Sequence, residues 1–494
     1  MTLLAFDLET HLIQPGLLAP PIVCGSFATE IGSVLHDPYF TLQNVEDHLR
    51  GSAHICGANI AYDFGCVLAV RPDLFPLVWK AYEEERVFDV LIAGTLDAIF
   101  DGRLREGELF AKDGTKITSG RYSLETVVRD YLGRSDAKRN DVWRKSYALL
   151  PADLSQWPEE ARQYPVDDAV NTLEVAKRQL KACNNLHDLP RQAHAAFCAH
   201  MGAIWGLRVD PERAAVLKIE VASHIEEIQK FAIDNKFLKV GGTKKKPKWT
   251  KDTKYLKERV FDAYHGLPPS TPTGETSISR ETLEDSGDEA LVRYSEITKW
   301  EKLKVYADTL AQLGTKPLNV SCNILVATGR ASYEGLIQLM PRKGGVRECF
   351  VARPGTVWSS VDYSAIEMSQ LAQVQLWALG QSTLAEALNE DLDPHSLFAA
   401  GMTGTTYDEF LKNRKRAVEA GYRQAAKAAN FGFPGMMGAP KFVIAKRREK
   451  EHVCEWTFRD GKCGERKVRE WKGRDLEAPL CARCIEVAED LRNQ

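Results

Sequence analysis

The chain contains no run approaching the ~20 uninterrupted apolar residues that a membrane helix needs, so no membrane span is expected. It has no excess of either charge: 65 basic against 68 acidic residues leave a net −3. That balance excludes a uniformly basic binder but not one with segregated basic surfaces. No internal repeat or low-complexity tract is visible, and the composition rules out wholesale disorder. Grouped cysteines are scarce. Cys24, Cys56, Cys66, Cys183, Cys198, Cys322 and Cys349 are scattered through an odd total of 11, which fits reduced thiols in a cytosol-like compartment. A signal peptide is not expected, because MTLLAFDLETHLIQPG lacks a basic n-region and carries acids within its apolar start. What is present is ordinary globular material, 44% hydrophobic and 27% charged over 494 residues, enough for about three domains.

Residues 3–8, LLAFDL, read as a short buried strand ending in acids, and residues 54–70 predict a strand, a turn at Gly57 and a helix. Apolar residues recur at helical spacing from Tyr122 to Leu132, and 159–182 predict a longer helix. Strands mixed with helices over residues 1–185 argue for one α/β domain. From 186 to 320 the pattern is helical, interrupted by eight lysines between Lys236 and Lys254, with Lys244, Lys245 and Lys246 consecutive. That run reads either as a solvated loop or as an arm whose lysines neutralise a nucleic-acid backbone. Beyond 321 strands are expected again, notably VWSSVDYS at 357–364, followed by helices near 365–380, 383–390 and 407–430.

Carboxylates concentrate in three places. Asp7 and Glu9 alternate on the first expected strand, so both leave the same face. Two neighbouring acids repel and gain nothing structurally unless a cation neutralises them. Asp63 closes NIAYD, where it also suits a helix cap, and Asp167 and Asp168 close YPVDD, where they also suit a solvated first turn. Tyr164 and Asp168 are four apart and share a helix face. Together, with YSLETVVRDYLG between them, these segments resemble the three motifs of the DEDD proofreading exonucleases, in the subclass that carries Tyr rather than His. The resemblance implies an RNase H-like 3′→5′ exonuclease acting on single-stranded DNA. In it, Asp7, Glu9, Asp63 and Asp168 would hold two Mg²⁺ or Mn²⁺ ions and Tyr164 would orient the attacking water. The spacing favours Asp168 over Asp167.

Further on, VDYSAIE (361–367) runs from an apolar stretch into a helix, and Arg423, Lys427 and Phe431 fall at i, i+4 and i+8 of RQAAKAANFG. Two cations in line suit a triphosphate and a ring at the end suits a base or sugar, although a solvated basic helix with one core Phe has the same pattern. With Thr328-Gly329-Arg330, Arg347 and Phe350, Asp393 and His395, and GLRVDP at 206–211, the pattern resembles the family A DNA polymerases. That resemblance implies that Asp362 binds catalytic metal and that the Tyr363 backbone seats the incoming triphosphate. It further implies that Glu367 excludes a 2′-hydroxyl, that His395, Arg423 and Lys427 contact the triphosphate, and that Phe431 stacks on the nucleotide. Arg330, Arg347 and the lysine run would meet primer-template DNA, and deoxynucleoside triphosphates would be the substrates.

Two departures stand out. Phe433-Pro434-Gly435 follows NFG where the family text ends in Tyr-Gly, and Pro434 must end the helix. No His-Asp-Glu occurs after Phe431, so the second palm carboxylate of the family is not found in the sequence. The expectation is an exonuclease (1–185), a mostly helical thumb (186–320) and a partial palm and fingers (321–440), of replication or repair type. It would reside in bacterial or phage-infected cytoplasm, with a second polypeptide supplying the missing motif if the gene is split. An exonuclease alone, or a non-catalytic DNA-binding remnant, is the alternative. In the tail (441–494), Cys454, Cys463, Cys481 and Cys484 lie in a Gly- and charge-rich segment and suggest a structural Zn²⁺ ribbon, against unremarkable thiols.

Overall fold

The computed structural model describes residues 2–432, apart from 106–107, 119, 135–141, 144, 184–185, 244–245, 267, 270, 272–273 and 327–330, together with 467–471 and 474–478. Two compact units emerge: residues 1–224 with 301–358, and residues 225–300 with 359–494. Among the described residues no helix is long and apolar enough to cross a membrane.

The first unit is organised by strand β1 (Leu3–Thr10), which pairs antiparallel with β2 (Ile22–Thr29) and parallel with β4 (His54–Gly57). Strand β3 (Gly32–His36) extends the sheet beyond β2, and β5 (Val87–Asp89) extends it beyond β4, giving the order β3-β2-β1-β4-β5. Both faces of β1 are covered, which explains its near-continuous apolar run. Leu4, Phe6 and Leu8 enter one core with helices α1 (Pro38–Arg50) and α2 (Ile60–Val70), where Phe6 stacks on its cross-strand partner Phe27 at 5.1 Å. Leu3 and Ala5 enter the other, against the helices Leu124–Leu132 and Glu159–Ala182. Each fully buried large side chain contributes roughly 1.5–3 kcal/mol by leaving water.

Local chemistry sets the helix ends. Asp37 caps α1 ahead of Pro38, and Ser123 caps the helix Leu124–Leu132, which Gly133 closes in the left-handed region at φ 69°. The chain enters α2 through left-handed Asn59 (φ 64°), a conformation Asn tolerates better than most residues. There Asp89 accepts the Ile60 N–H at 3.0 Å and also caps its own helix through Leu91 and Ile92.

In the second unit the lysine run is neither loop nor helix. It forms a hairpin, Leu238–Thr243 paired with Lys246–Lys251, beside a core built from Phe237, Leu256, Val260, Leu291 and Tyr294. The helices Ile366–Leu379 and Thr383–Asn389 match expectation. Two expectations fail. Residues 357–364 form no strand, and no strand among the described residues pairs with them; an unladdered backbone gains nothing from the β conformation. The helix expected over 407–430 is two, Tyr407–Asn413 and Ala417–Gly432. A Thr406–Glu409 capping box starts the first, and Lys412, Arg414, Lys415 and Arg416 crowd like charge at its end.

Candidate functional site

Asp7 and Glu9 sit at the end of β1 on the face that carries Leu3 and Ala5. The helix Glu159–Ala182 lays Ala169, Leu173 and Ala176 into the core on that face, and this brings Asp168 to the strand end. Oxygens of Asp7, Glu9 and Asp168 lie within 4.8 Å of one another. Asp167 points elsewhere and accepts the Gln163 side-chain amide at 2.7 Å.

Pro165 lies inside this helix and cannot donate to the Ala161 carbonyl. The buried Tyr147 hydroxyl donates to that carbonyl instead, at 3.1 Å. The Tyr147 ring also lies 6.4 Å from that of Tyr164, one turn before Asp168. Tyr147 thus supports the acidic centre from behind, and its own hydroxyl is pushed up by burial and then by the charge of Glu9. No motif marks it; the signal is a proline in a helix, which leaves one carbonyl to be met.

Asp63 is buried in the first turn of α2, where it is no cap: it accepts the Leu8 N–H at 3.1 Å. Burial first, and then the negative charge of Asp7, raise its pKa well above the usual carboxylate range. The neighbouring Tyr62 hydroxyl bonds Thr10 at 2.6 Å. Cys24 faces Glu9 across the ladder, and burial followed by Glu9 and Asp7 raises its thiol pKa. Asp7 and Glu9 therefore project a negative potential, Asp7 onto Asp63 and both onto Cys24. Closely spaced, hard oxygen donors of this kind fit a divalent cation such as Mg²⁺ or Mn²⁺.

The residues expected at a nucleotide site fall into two sets, both in the second unit. Asp393, His395 and Arg423 come together. Asp393 caps the helix Pro394–Thr403, accepts the Ser396 hydroxyl at 2.6 Å, and accepts Arg423 Nε at 2.8 Å. His395 is buried beside Asn430, with Nδ1 3.0 Å from the side-chain amide. Burial holds its pKa below the ordinary imidazole value; Asp393 pulls it up, while Arg423 and Lys427 lower it further. Lys427 is exposed, and Phe431 lies at the end of the same helix, its ring outside the described residues. Asp362 and Tyr363 form the other set, on irregular backbone, with Tyr363 77% exposed. Glu367 opens the helix Ile366–Leu379.

In the first unit Arg347 is exposed and donates to the Pro341 and Met340 carbonyls at 3.3 and 3.4 Å. Lys246 lies in the hairpin strand; Lys244, Lys245, Arg330 and the tail cysteines Cys454, Cys463, Cys481 and Cys484 lie outside the described residues.

Residues 233–450 match the family model for DNA polymerase family A. Over this stretch the chain is similar to that family. The matched stretch contains Asp362, His395, Arg423 and Lys427, and family A polymerases use divalent metal ions. Among curated proteins, DNA polymerase I of Chloroflexus aurantiacus is 26% identical over 343 residues, 65% of this chain and 33% of that protein. The thermostable DNA polymerase I of Thermus aquaticus is 29% identical, over 57% of this chain and 33% of its own. DNA polymerase I of Rhizobium leguminosarum is 26% identical over 476 residues, 90% of this chain and 44% of that protein. The chain thus spans between a third and less than half of these relatives. In fold, it is similar to the POL domain of an M. smegmatis polymerase solved with DNA primer-template and dNTP. The TM-score is 0.59 at 17% identity, covering 91% of this chain and 70% of that one.

Proposed function

We propose that the chain joins a metal-dependent 3′→5′ DNA exonuclease of RNase H-like architecture to a family A segment that binds deoxynucleoside triphosphate and primer-template DNA. The observation that carries the nuclease reading is the convergence of Asp7, Glu9 and Asp168 within 4.8 Å. The sheet order β3-β2-β1-β4-β5, with two antiparallel and two parallel pairings, supports the architecture.

In this mechanism Asp7, Glu9 and Asp168 would hold the metal, with Asp63, fixed by the Leu8 N–H, as a fourth carboxyl group beneath them. A divalent cation bound there would lower the pKa of a water and offset charge on the leaving 3′ oxygen. Tyr164, four residues before Asp168 on the same helix face, orients that water through its hydroxyl. In the family A segment Arg423, Lys427 and His395 bind the triphosphate, and Glu367 favours a deoxyribose. The exposed, unladdered backbone around Asp362 favours a chain whose nuclease is active while synthesis by the chain alone is weak.

The test is degradation of 3′-labelled single-stranded DNA by the purified chain with Mn²⁺, alongside an RNA oligonucleotide of the same sequence. DNA is expected to be shortened from its 3′ end, with Asp7→Ala slower by about a thousandfold. Equal rates for wild type and Asp7→Ala would sink the nuclease reading.

A further inference from the structure

Asn430 contributes no charge to the triphosphate site, yet its side-chain amide determines what His395 can do. The Asn430 Nδ2 lies 3.3 Å from the Pro394 carbonyl and 3.0 Å from His395 Nδ1. A carbonyl oxygen only accepts, so the atom facing Pro394 must be the amide nitrogen. That fixes the otherwise ambiguous orientation of the amide. The second hydrogen of the same NH₂ then faces Nδ1, which must accept it. A neutral imidazole with an accepting Nδ1 carries its proton on Nε2.

The surroundings favour the neutral ring. His395 is 8% exposed, and the nearby Arg423 and Lys427 cations oppose a further positive charge. Asp393 draws the ring toward protonation, and its carboxylate is engaged by Arg423 Nε, the Ser396 hydroxyl and the His395 N–H. Arg423 is itself anchored through Nε, so its remaining guanidinium N–H groups are the ones left to serve a ligand.

We infer that Asn430 is a positioning residue: it locks His395 as the neutral Nε2–H tautomer, so that the ring serves as a hydrogen-bond donor to a phosphate oxygen beside Arg423. This rests on the nucleotide reading above. It assigns the donor its proton through a neighbouring side chain. The arrangement gives one neutral directional donor next to two cations, which orients a triphosphate without adding a third charge.

Selective ¹⁵N-histidine labelling of the full-length chain, with His395 picked out of the 11 histidines by its loss in His395→Gln, reads the tautomer directly. At neutral pH the wild-type ring is expected to show a protonated Nε2 and a bare Nδ1. Asn430→Asp replaces the donor with an acceptor of the same size, and is expected to move the proton to Nδ1 or to charge the ring. dATP affinity, measured by equilibrium dialysis, should weaken by about tenfold in Asn430→Asp, the size of one hydrogen bond to a charged group. In a His395→Gln background the same substitution should add less than about twofold, because its effect runs through the ring. A wild-type ring protonated on Nδ1, or full additivity of the two substitutions, would overturn the inference. Failure of the wild-type chain to bind dATP would instead overturn the nucleotide reading, and the ring spectrum, which needs no variant and no ligand, still decides the tautomer.

Discussion

Two stretches of this chain carry acids at the end of an apolar run, and they meet opposite fates. At Asp7 and Glu9 the strand has a hydrogen-bonded neighbour on each side and a core against each face. The acids emerge where that scaffold ends, and helix Glu159–Ala182 delivers a third. At Asp362 the preceding VWSSV has no ladder among the described residues, and Val361 is 87% exposed. Apolar residues and a carboxylate are common to both. What differs is the pairing, and with it the rigidity that a metal site or a transferred phosphoryl group requires.

That contrast can be broken most sharply within one helix. Asp168→Asn is expected to slow nuclease action by about a thousandfold, whereas Asp167→Asn, at a side chain that accepts from Gln163 rather than joining the cluster, should stay within about twofold; 3′-end degradation kinetics measure both. If the two variants lose activity equally, Asp167 shares the site and the helix is out of register.

Stability gives the next largest effect. Leu4→Ala, in the sheet core, should cost about 3 kcal/mol in urea unfolding, while Val361→Ala should fall within about 0.5 kcal/mol. A costly Val361→Ala would mean that 357–364 is packed after all.

Acid sensitivity should follow burial in the first unit. His200, packed on α2 near Tyr62 and Gly65, has its pKa pushed down by burial from 6.5 to about 4. Its neutral form is favoured in the fold, so its contribution is complete above pH 6.5 and is lost as pH falls toward 4. His200→Leu should therefore flatten the stability–pH curve across that window by on the order of 2 kcal/mol, as followed by urea unfolding at pH 7 and pH 4.5. An unchanged slope would place the acid-sensitive group elsewhere.

The smallest effect expected is that of Tyr147→Phe, which strands the Ala161 carbonyl and should cost about 1 kcal/mol in thermal or urea unfolding. A thermally neutral substitution would show that water takes the place of the hydroxyl.

Much of the first unit was legible in the sequence because local signals agreed with tertiary ones. LLAFDL alternates between two cores, Ser123 caps a helix of clear periodicity, and Tyr164 and Asp168 share a face. The role of Asp63 was less legible. Its bond to Leu8 N–H depends on how α2 meets the sheet, which no spacing encodes. In the second unit, periodicity misled where pairing decides: 357–364 looks like a strand, yet a strand is a property of two segments. The lysine hairpin is hidden for the converse reason, since Gly241-Gly242 and Pro247 look like loop chemistry until Trp249 is seen opposite Val240. Asn430 carries no sequence signal, since an asparagine between Lys427 and Phe431 advertises nothing; only the Pro394 carbonyl gives its amide a direction.

The bond between Tyr147 and the carbonyl that Pro165 leaves unmet also has a mechanical side. A loop that merely rests on a helix can drift without consequence, but this one closes a gap in the helix's own hydrogen bonding. Pulling the Tyr147 segment outward strips a buried acceptor of its partner, so the segment and the turn that presents Tyr164 and Asp168 are geared together. A load on that segment would therefore be felt at the acidic centre as a displacement of the helix, without touching a single carboxylate.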